Sequence, residues 1–372
     1  MFGFQSFYFF FFIFLVFYVL ILKSSTKNKR SFCIWCFVLL FLLSGFRGET
    51  VGGDLKRYLP EFYNVAHSSF AKVFDSGYHE PGYVIFIKLL SLISMDNRSF
   101  LLGTALAAMI GPFILTYKYS NNPVVSVLLY YAMGYYTNTF NNIRQSLALS
   151  VAFCIVPFLV NRKFWKYLIG VLIATSFHYS AIILLIVYPL ITRDLSFKRI
   201  MVYLASGLVL VYLFTFDIFS YIVTFALNKY DPEELLEERG GQGYGLLFFY
   251  SILFLMLSLF YLIKRRYLDT EQRFFLSFML VFMVLTTLIQ MTAPIFSSMV
   301  RMTFYFFIPI VMIAVPYISS LIQVKWHRVL FYFSIFGYAI LYMALVTYSF
   351  NVDSGSNAQG VIPYVLFNIT LF

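Results

Sequence analysis

The sequence predicts an all-α, polytopic integral membrane protein. It reads as a single membrane-embedded domain over 1–372 with about twelve transmembrane or half-membrane helices. Two observations carry this. Hydrophobic residues make up 61% of the chain and charged residues 12%, too few charges to cover a soluble domain of this size. The basic residues are also gathered. Six short segments hold 17 of the 27 lysines and arginines, but only Asp194, Asp269 and Glu271 of the 16 acidic residues. Those segments are KSSTKNKR, Lys118, NRKFWK, RDLSFKR, KRRYLDTEQR and KWHR. Lys and Arg are retained on the cytoplasmic side, so all six are placed inside. The net charge of +11 then reads as membrane orientation and not as a nucleic-acid surface.

The elements follow in order. The apolar run 2–22 has no basic segment before it and no small-residue cleavage site, so it reads as a first span and not a removable signal. The run 32–46 contains Cys33 and Cys36 as CxxC. No second CxxC or His cluster accompanies it, so packing suits these thiols better than redox or metal chemistry. Further runs lie at 99–117, 123–137, 144–160, 166–177, 179–191, 199–216, 246–263, 273–293, 301–321 and 329–349. The segment 82–95 is also apolar, but counting it as a crossing would invert every later basic loop. It is placed as a half-inserted or interfacial helix on the outer side. The runs 166–177 and 179–191 are too short to cross separately at ~1.5 Å per residue, and read as a broken hairpin with His178 near its outer tip. Gly103, Ala107 and Gly111 lie four apart, the spacing of a helix-packing seam. No internal repeat is apparent, which weighs against a transporter of paired halves.

On this map the polar chemistry collects on the outer face. Its largest loops are 47–98 and 217–245. Arg47 and Asp54 flank the Gly52-Gly53 turn. They form either a solvated loop or a charge pair in which the carboxylate stays ionised and can take a proton or position a hydroxyl. Arg144 stands at the start of a helix, where a cation opposes the macrodipole, and at the outer end, where it opposes the positive-inside bias. A bound phosphate would justify both costs; snorkelling to the interface is the alternative. Asn141, Asn142 and Gln145 suit either sugar hydroxyls or helix capping. Arg301 repeats the arrangement, with Tyr305 four residues on along a shared helix face. Two such arginines suit a diphosphate. His178 reads as a packed histidine, a general base or a phosphate ligand. Glu233, Glu234, Glu237 and Glu238 read as a solvated helix face, and no metal site is predicted.

The series FRGETVGGDLKRY, EPGYVIF, FNNIRQSLALS, ATSFHYSAIILL, SSMVRMTFYF and IPYVLF resembles, in order and spacing from about residue 44 to residue 366, the EpsG-like branch of the Wzy polysaccharide polymerases. The GGD spelling departs from the commoner G-x-D form but keeps the carboxylate. The resemblance implies a Wzy-type, GT-C-like helix arrangement in the bacterial inner membrane, with the active site facing the periplasm among membrane lipids. It implies undecaprenyl-diphosphate-linked oligosaccharides as both donor and acceptor, and a growing chain transferred to the non-reducing end of the next repeat unit. Arg47, Asp54, Arg144, His178 and Arg301 would be the recurring polar positions. Asp54, Glu80 and His178 would be the candidate bases for the acceptor hydroxyl. The arginines would replace a divalent metal, so no cofactor is expected, and a chain-length regulator is implied as a partner. Two other readings stand beside this one. An O-antigen ligase would share the donor. A lipid-linked oligosaccharide flippase would carry polar residues deep into a central path.

Overall fold

The computed structural model describes residues 28–74, 80–191, 196–215, 244–293 and 299–348. The expected first span at 2–22, nearly all of 217–245 with its acidic cluster, and the tail from 349 onward lie outside the described residues. The described residues form helices and the turns between them, with no β-strand. Five helical stretches are long and apolar enough to cross a membrane: Asn97–Tyr119, Ile143–Val160, Gly245–Lys264, Thr270–Thr292 and Met299–Leu321. That is the pattern of a multi-pass membrane protein. Two compact units divide the chain, Met1–Leu184 with Val311–Phe372 and Leu185–Ile310.

In the first unit, α1 (Lys29–Gly45) leads to α2 (Leu55–His67), α3 (Pro81–Ile93) and α4 (Asn97–Tyr119). Next come α5 (Pro123–Ala132), the single turn α6 (Tyr135–Asn138), α7 (Ile143–Val160) and α8 (Phe164–Phe177). α4 packs against α1 and α7, and α7 packs against α8. Close approach explains the small residues. A Cβ on Gly111 would sit 2.1 Å from the Ser150 carbonyl oxygen. Ser150 Oγ fills the gap, donating to Ala107 O at 2.6 Å and accepting from Gly111 N–H at 2.8 Å. Gly103, expected in the same seam, meets Leu90 of α3 instead.

Two expectations change. The span expected at 123–137 stops at Ala132, because Gly134 takes the left-handed region at φ 72° and redirects the chain. The segment 47–98, expected as a loop with one interfacial helix, contains two helices. α3 stands where the interfacial helix was expected; its 13 residues reach ~20 Å, short of a ~30 Å hydrocarbon core. It buries Tyr83, Val84, Ile87, Lys88 and Ser91 and leaves Leu92 and Ile93 exposed. α2 was not expected. Its apolar residues Leu55, Tyr58, Phe62 and Val65 recur at helical spacing and face the core shared with α3 and α4.

The expected broken hairpin is present. α8 ends at Phe177, His178 is extended at φ −158° and ψ 120°, and a 3₁₀ helix, Tyr179–Ile186, follows. Tyr167 O–H donates to Leu184 O at 2.7 Å, so the chain after His178 doubles back along α8.

The second unit contains α9 (Val187–Leu190), α10 (Phe197–Thr215), α11 (Tyr244–Lys264) and α12 (Thr270–Thr292), then α13 (Met299–Met302) and α14 (Phe304–Pro309). α12 packs against α10 and α11. It starts on a capping box, in which Asp269 accepts from Gln272 N–H at 2.8 Å and the Gln272 side chain accepts from Asp269 N–H at 3.2 Å. A π-helical turn, Ile310–Ala314, then precedes α15 (Val315–Leu321) and α16 (Lys325–Tyr348).

The first unit has two chemically distinct ends. Lys29 at the start of α1 donates to Ser120 O at 2.7 Å just past the end of α4, and Arg162 follows the end of α7. The eighteen residues of α7, about 27 Å of helix, separate that end from Asn142 and Arg144.

Candidate functional site

Three helix ends meet at the end of the first unit that carries Asn142 and Arg144, and small local rules bring them together. Glu80 precedes α3 in extended conformation, and Pro81 occupies the first helical position, where its missing N–H costs nothing. Gly82 then lets α3 touch the end of α8. A Cβ there would lie 2.2 Å from Ser176 Oγ and 2.9 Å from the Ser176 carbonyl carbon. His178 comes two residues after Ser176. The motifs EPGY and SFH thus form one joint, and the start of α7 supplies Arg144 beside it.

Glu80 bridges both partners. Arg144 Nη1 donates to Glu80 Oε2, and His178 Nδ1 donates to Glu80 Oε1 at 2.9 Å. The Glu80 side chain is 4% exposed, that of Arg144 14% and that of His178 30%. Burial alone would push the Glu80 carboxyl up. The hydrogen bond from His178 and the charge of Arg144 outweigh it and hold the group below the ordinary carboxylate range. An ionised Glu80 accepts only, so Nδ1 of His178 carries its proton and the lone pair of the neutral ring lies on Nε2. The pairing also answers the misplaced charge. A cation at the start of α7 opposes the helix dipole, and Glu80 neutralises it there.

Aromatic rings complete the surroundings. The Arg144 guanidinium lies 5.8 Å from the centre of the Tyr58 ring and 6.0 Å from that of Tyr83. The Tyr83 hydroxyl and Arg144 Nε are buried without a hydrogen-bond partner among the described residues. Glu61, one turn along α2 from Tyr58, is buried as well. Burial pushes its carboxyl above the ordinary range, and Arg144 and Arg57 counter this only in part.

The other predicted residues divide. Arg47 is buried; its Nη1 donates to Ser44 O at 2.7 Å and to Ser44 Oγ at 3.0 Å, and its guanidinium lies 4.7 Å from the centre of the Phe140 ring. The Gly-Gly-Asp turn docks on the same stretch. Gly52 has φ 116°, a Cβ there would meet the Phe140 carbonyl oxygen at 2.7 Å, and Asp54 N–H donates to Asn141 Oδ1 at 3.4 Å. Asp54 itself is exposed at the start of α2. Asn142 precedes α7 but does not cap it; its Nδ2 donates to Asn138 Oδ1 at 2.6 Å. Gln145 is buried on α7. The motifs around Arg47, Asp54, Asn141 and Arg144 are therefore joined.

Arg301 and Tyr305 belong to the second unit and lie four residues apart in the helical stretch Met299–Leu321; Arg301 is exposed on α13 and Tyr305 buried on α14. Sequence reading missed Tyr58, Glu61, Tyr83 and Lys88. The periodicity of α2 was the available signal for the first two. Among the described residues no three His, Cys, Asp or Glu side chains gather to hold a metal ion.

A sequence model of the EpsG family matches residues 30–366, and the chain belongs to that family. No curated protein and no solved structure matches it.

Proposed function

We propose that this EpsG-family protein is a polysaccharide polymerase. It would be a glycosyltransferase that joins undecaprenyl-diphosphate-linked repeat units at the outer face of the bacterial inner membrane. The observation that carries the reading is Glu80, a buried carboxylate shared by Arg144 and His178 at the end of the unit opposite the basic loops. The positive-inside bias puts that end outside.

The geometry supports the following chemistry. Nε2 of His178 takes the proton of the acceptor hydroxyl. The hydroxyl oxygen bonds to the donor's anomeric carbon as the bond from that carbon to the diphosphate oxygen breaks, releasing undecaprenyl diphosphate. Glu80 fixes the imidazole tautomer and stabilises the imidazolium that forms. Arg144 holds Glu80 ionised, and its N–H groups outside that ion pair face the charge developing on the diphosphate; Arg301 of the second unit is a further candidate cation. Asp54, Arg47, Asn141, Asn142 and Gln145 shape the acceptor side, and Tyr305 supports the segment carrying Arg301. Positioned bases contribute about 10²–10⁴ in rate and preorganised charge donors about 10²–10³.

The test is polymer chain length beside protein abundance in the membrane, in a deletion strain complemented with variants. His178→Ala and Arg144→Ala are expected to accumulate unpolymerised repeat units at normal abundance. Normal ladders from both would refute the reading. Loss of every repeat unit from the cell surface would indicate a flippase, and full-length polymer stalled on its carrier would indicate a ligase.

A further inference from the structure

One buried acid near the site has no part in the mechanism above. Glu61 is 5% exposed on α2. It lies three residues after Tyr58, so the two share a helix face, and Tyr58 is one of the rings around Arg144. The charged groups facing Glu61 are Arg144 from α7, Arg57 on its own helix and Glu80 from α3. Tyr83 faces it from α3 as well. α4, also packed on α2, meets it through Phe100 against Phe62, with ring centres 5.2 Å apart.

The charge count decides what Glu61 can be. Arg144 and Glu80 already cancel. Arg57 is exposed, so solvent screens it. An ionised Glu61 would be a second buried anion against a guanidinium that is already paired, and such a charge is costly to bury. We propose that Glu61 is a positioning residue that works as a neutral acid: protonated, it leaves Arg144 to Glu80, and ionised, it competes for the guanidinium and loosens the Glu80–His178 contact. The polymerase reading of the same site underlies this role. The electrostatics of the two acids agree with it, since Glu80 is held below the ordinary carboxylate range and Glu61 above it. Tyr83, which feels the charge of Glu61, has a buried hydroxyl with no hydrogen-bond partner among the described residues, so nothing in it would offset an ionised Glu61. The active form is the protonated one, so activity falls as pH rises through the raised value of Glu61.

Two measurements on the full-length protein test this. The first is the infrared carbonyl band of a protonated carboxyl in purified protein, which needs no substrate. The band is expected at neutral pH, lost in Glu61→Gln and kept in Glu80→Gln. Its absence from the wild type, or its survival in Glu61→Gln, overturns the proposal. The second is polymer yield across pH, using lipid-linked repeat units extracted from a strain lacking this chain. Glu61→Ala is expected to lose about tenfold or more, because the cavity it leaves lets Tyr58, on the same helix face, shift beside Arg144. Glu61→Gln, permanently neutral, is expected to restore polymer and to move the alkaline fall to higher pH. An alkaline limb unchanged in Glu61→Gln counts against the role. If the wild type makes no polymer from these units, the polymerase reading fails, while the infrared band still decides the state of Glu61.

Discussion

Helix α12 and the joint of α2, α3, α7 and α8 bury polar groups by opposite means. On α12 two buried hydroxyls are satisfied inside the helix: Thr286 Oγ1 donates to Phe282 O at 2.8 Å and Thr287 Oγ1 to Met283 O at 2.9 Å, each four residues back. At the joint the partners are remote. Arg144 and His178 reach Glu80 across 64 and 98 positions of sequence. Lys88 on α3 donates to three carbonyls, of Val65 at 3.1 Å, Ala66 at 3.0 Å and Ser68 at 2.7 Å, at the end of α2. These two hydroxyls on α12 therefore fold with their own helix. Those at the joint are satisfied only when several helices have met, so an error in assembly leaves buried charges unpaired.

The largest effect should come from removing the shared partner. Glu80→Ala strands a half-buried guanidinium and frees His178; breaking a fully buried ion pair this way typically costs ~3–5 kcal/mol, and the loss here should approach the lower end. Thermal unfolding in detergent should show that loss, together with loss of polymer. Glu80 also gives the pH sign. Its folded value is held below its unfolded one, so its stabilisation is complete above the ordinary carboxylate range and is lost as pH falls through the folded value. Glu80→Gln should flatten this acid-side decline. A variant that declines as the wild type does would assign the effect to another group.

Lys88→Met is next. It keeps the length of the side chain and removes the charged donor, leaving carbonyls of α2 without their cap. Hydrogen bonds from a charged group are worth about 1.5–3 kcal/mol. Because α2 carries Tyr58 and Glu61 to Arg144, polymer length should fall with stability. A stable variant that makes short polymer would sharpen the comparison, since the cap would then serve the site more than the fold.

These remote pairings also mark what could be read from the sequence. Arg144 and His178 stood out because a charged or titratable side chain at the end of an apolar run is costly, and that cost is visible in one dimension. Glu80 was visible as a carboxylate in an outer segment, but its role as the bridge was not, since nothing local couples positions 80, 144 and 178. The helix α2 was concealed by the Gly52-Gly53-Asp54 turn before it and Pro60 within it. Its core face shows only once Leu55, Tyr58, Phe62 and Val65 are read at helical spacing, and Glu61 was hidden with it. Arg301 and Tyr305 mark another limit: a four-residue spacing does not say that Arg301 is exposed and Tyr305 buried, which packing within the second unit decides.

Gly82→Ala tests the joint without touching a charge. The added methyl meets Ser176 Oγ at 2.2 Å and the Ser176 carbonyl carbon at 2.9 Å, so α3 must shift away from α8. Overpacking of this kind costs about 1–3 kcal/mol. The shift should also part Glu80 from His178, which activity should report more strongly than stability. Ser176→Gly in the same chain removes the side-chain part of the clash and should restore part of the activity. Full activity in Gly82→Ala alone would mean that the contact between the helix ends is looser than the joint requires.

Thr286→Val should do least. The residue is fully buried on α12, yet its hydroxyl donates to a carbonyl already placed to accept the helical bond from its own backbone N–H. Valine keeps the β-branched shape and takes away a donor without leaving an acceptor unsatisfied. The expected change is within about 1 kcal/mol, since a typical intramolecular hydrogen bond is worth no more than that net of its exchange with water. Polymer ladders should be indistinguishable from wild type. Thermal unfolding beside Glu80→Ala in the same detergent makes the comparison direct. If Thr286→Val destabilised as much as Glu80→Ala, the division between groups satisfied within one helix and groups satisfied by assembly would fail, because a buried hydroxyl on α12 would then matter through a neighbouring helix and not through its own.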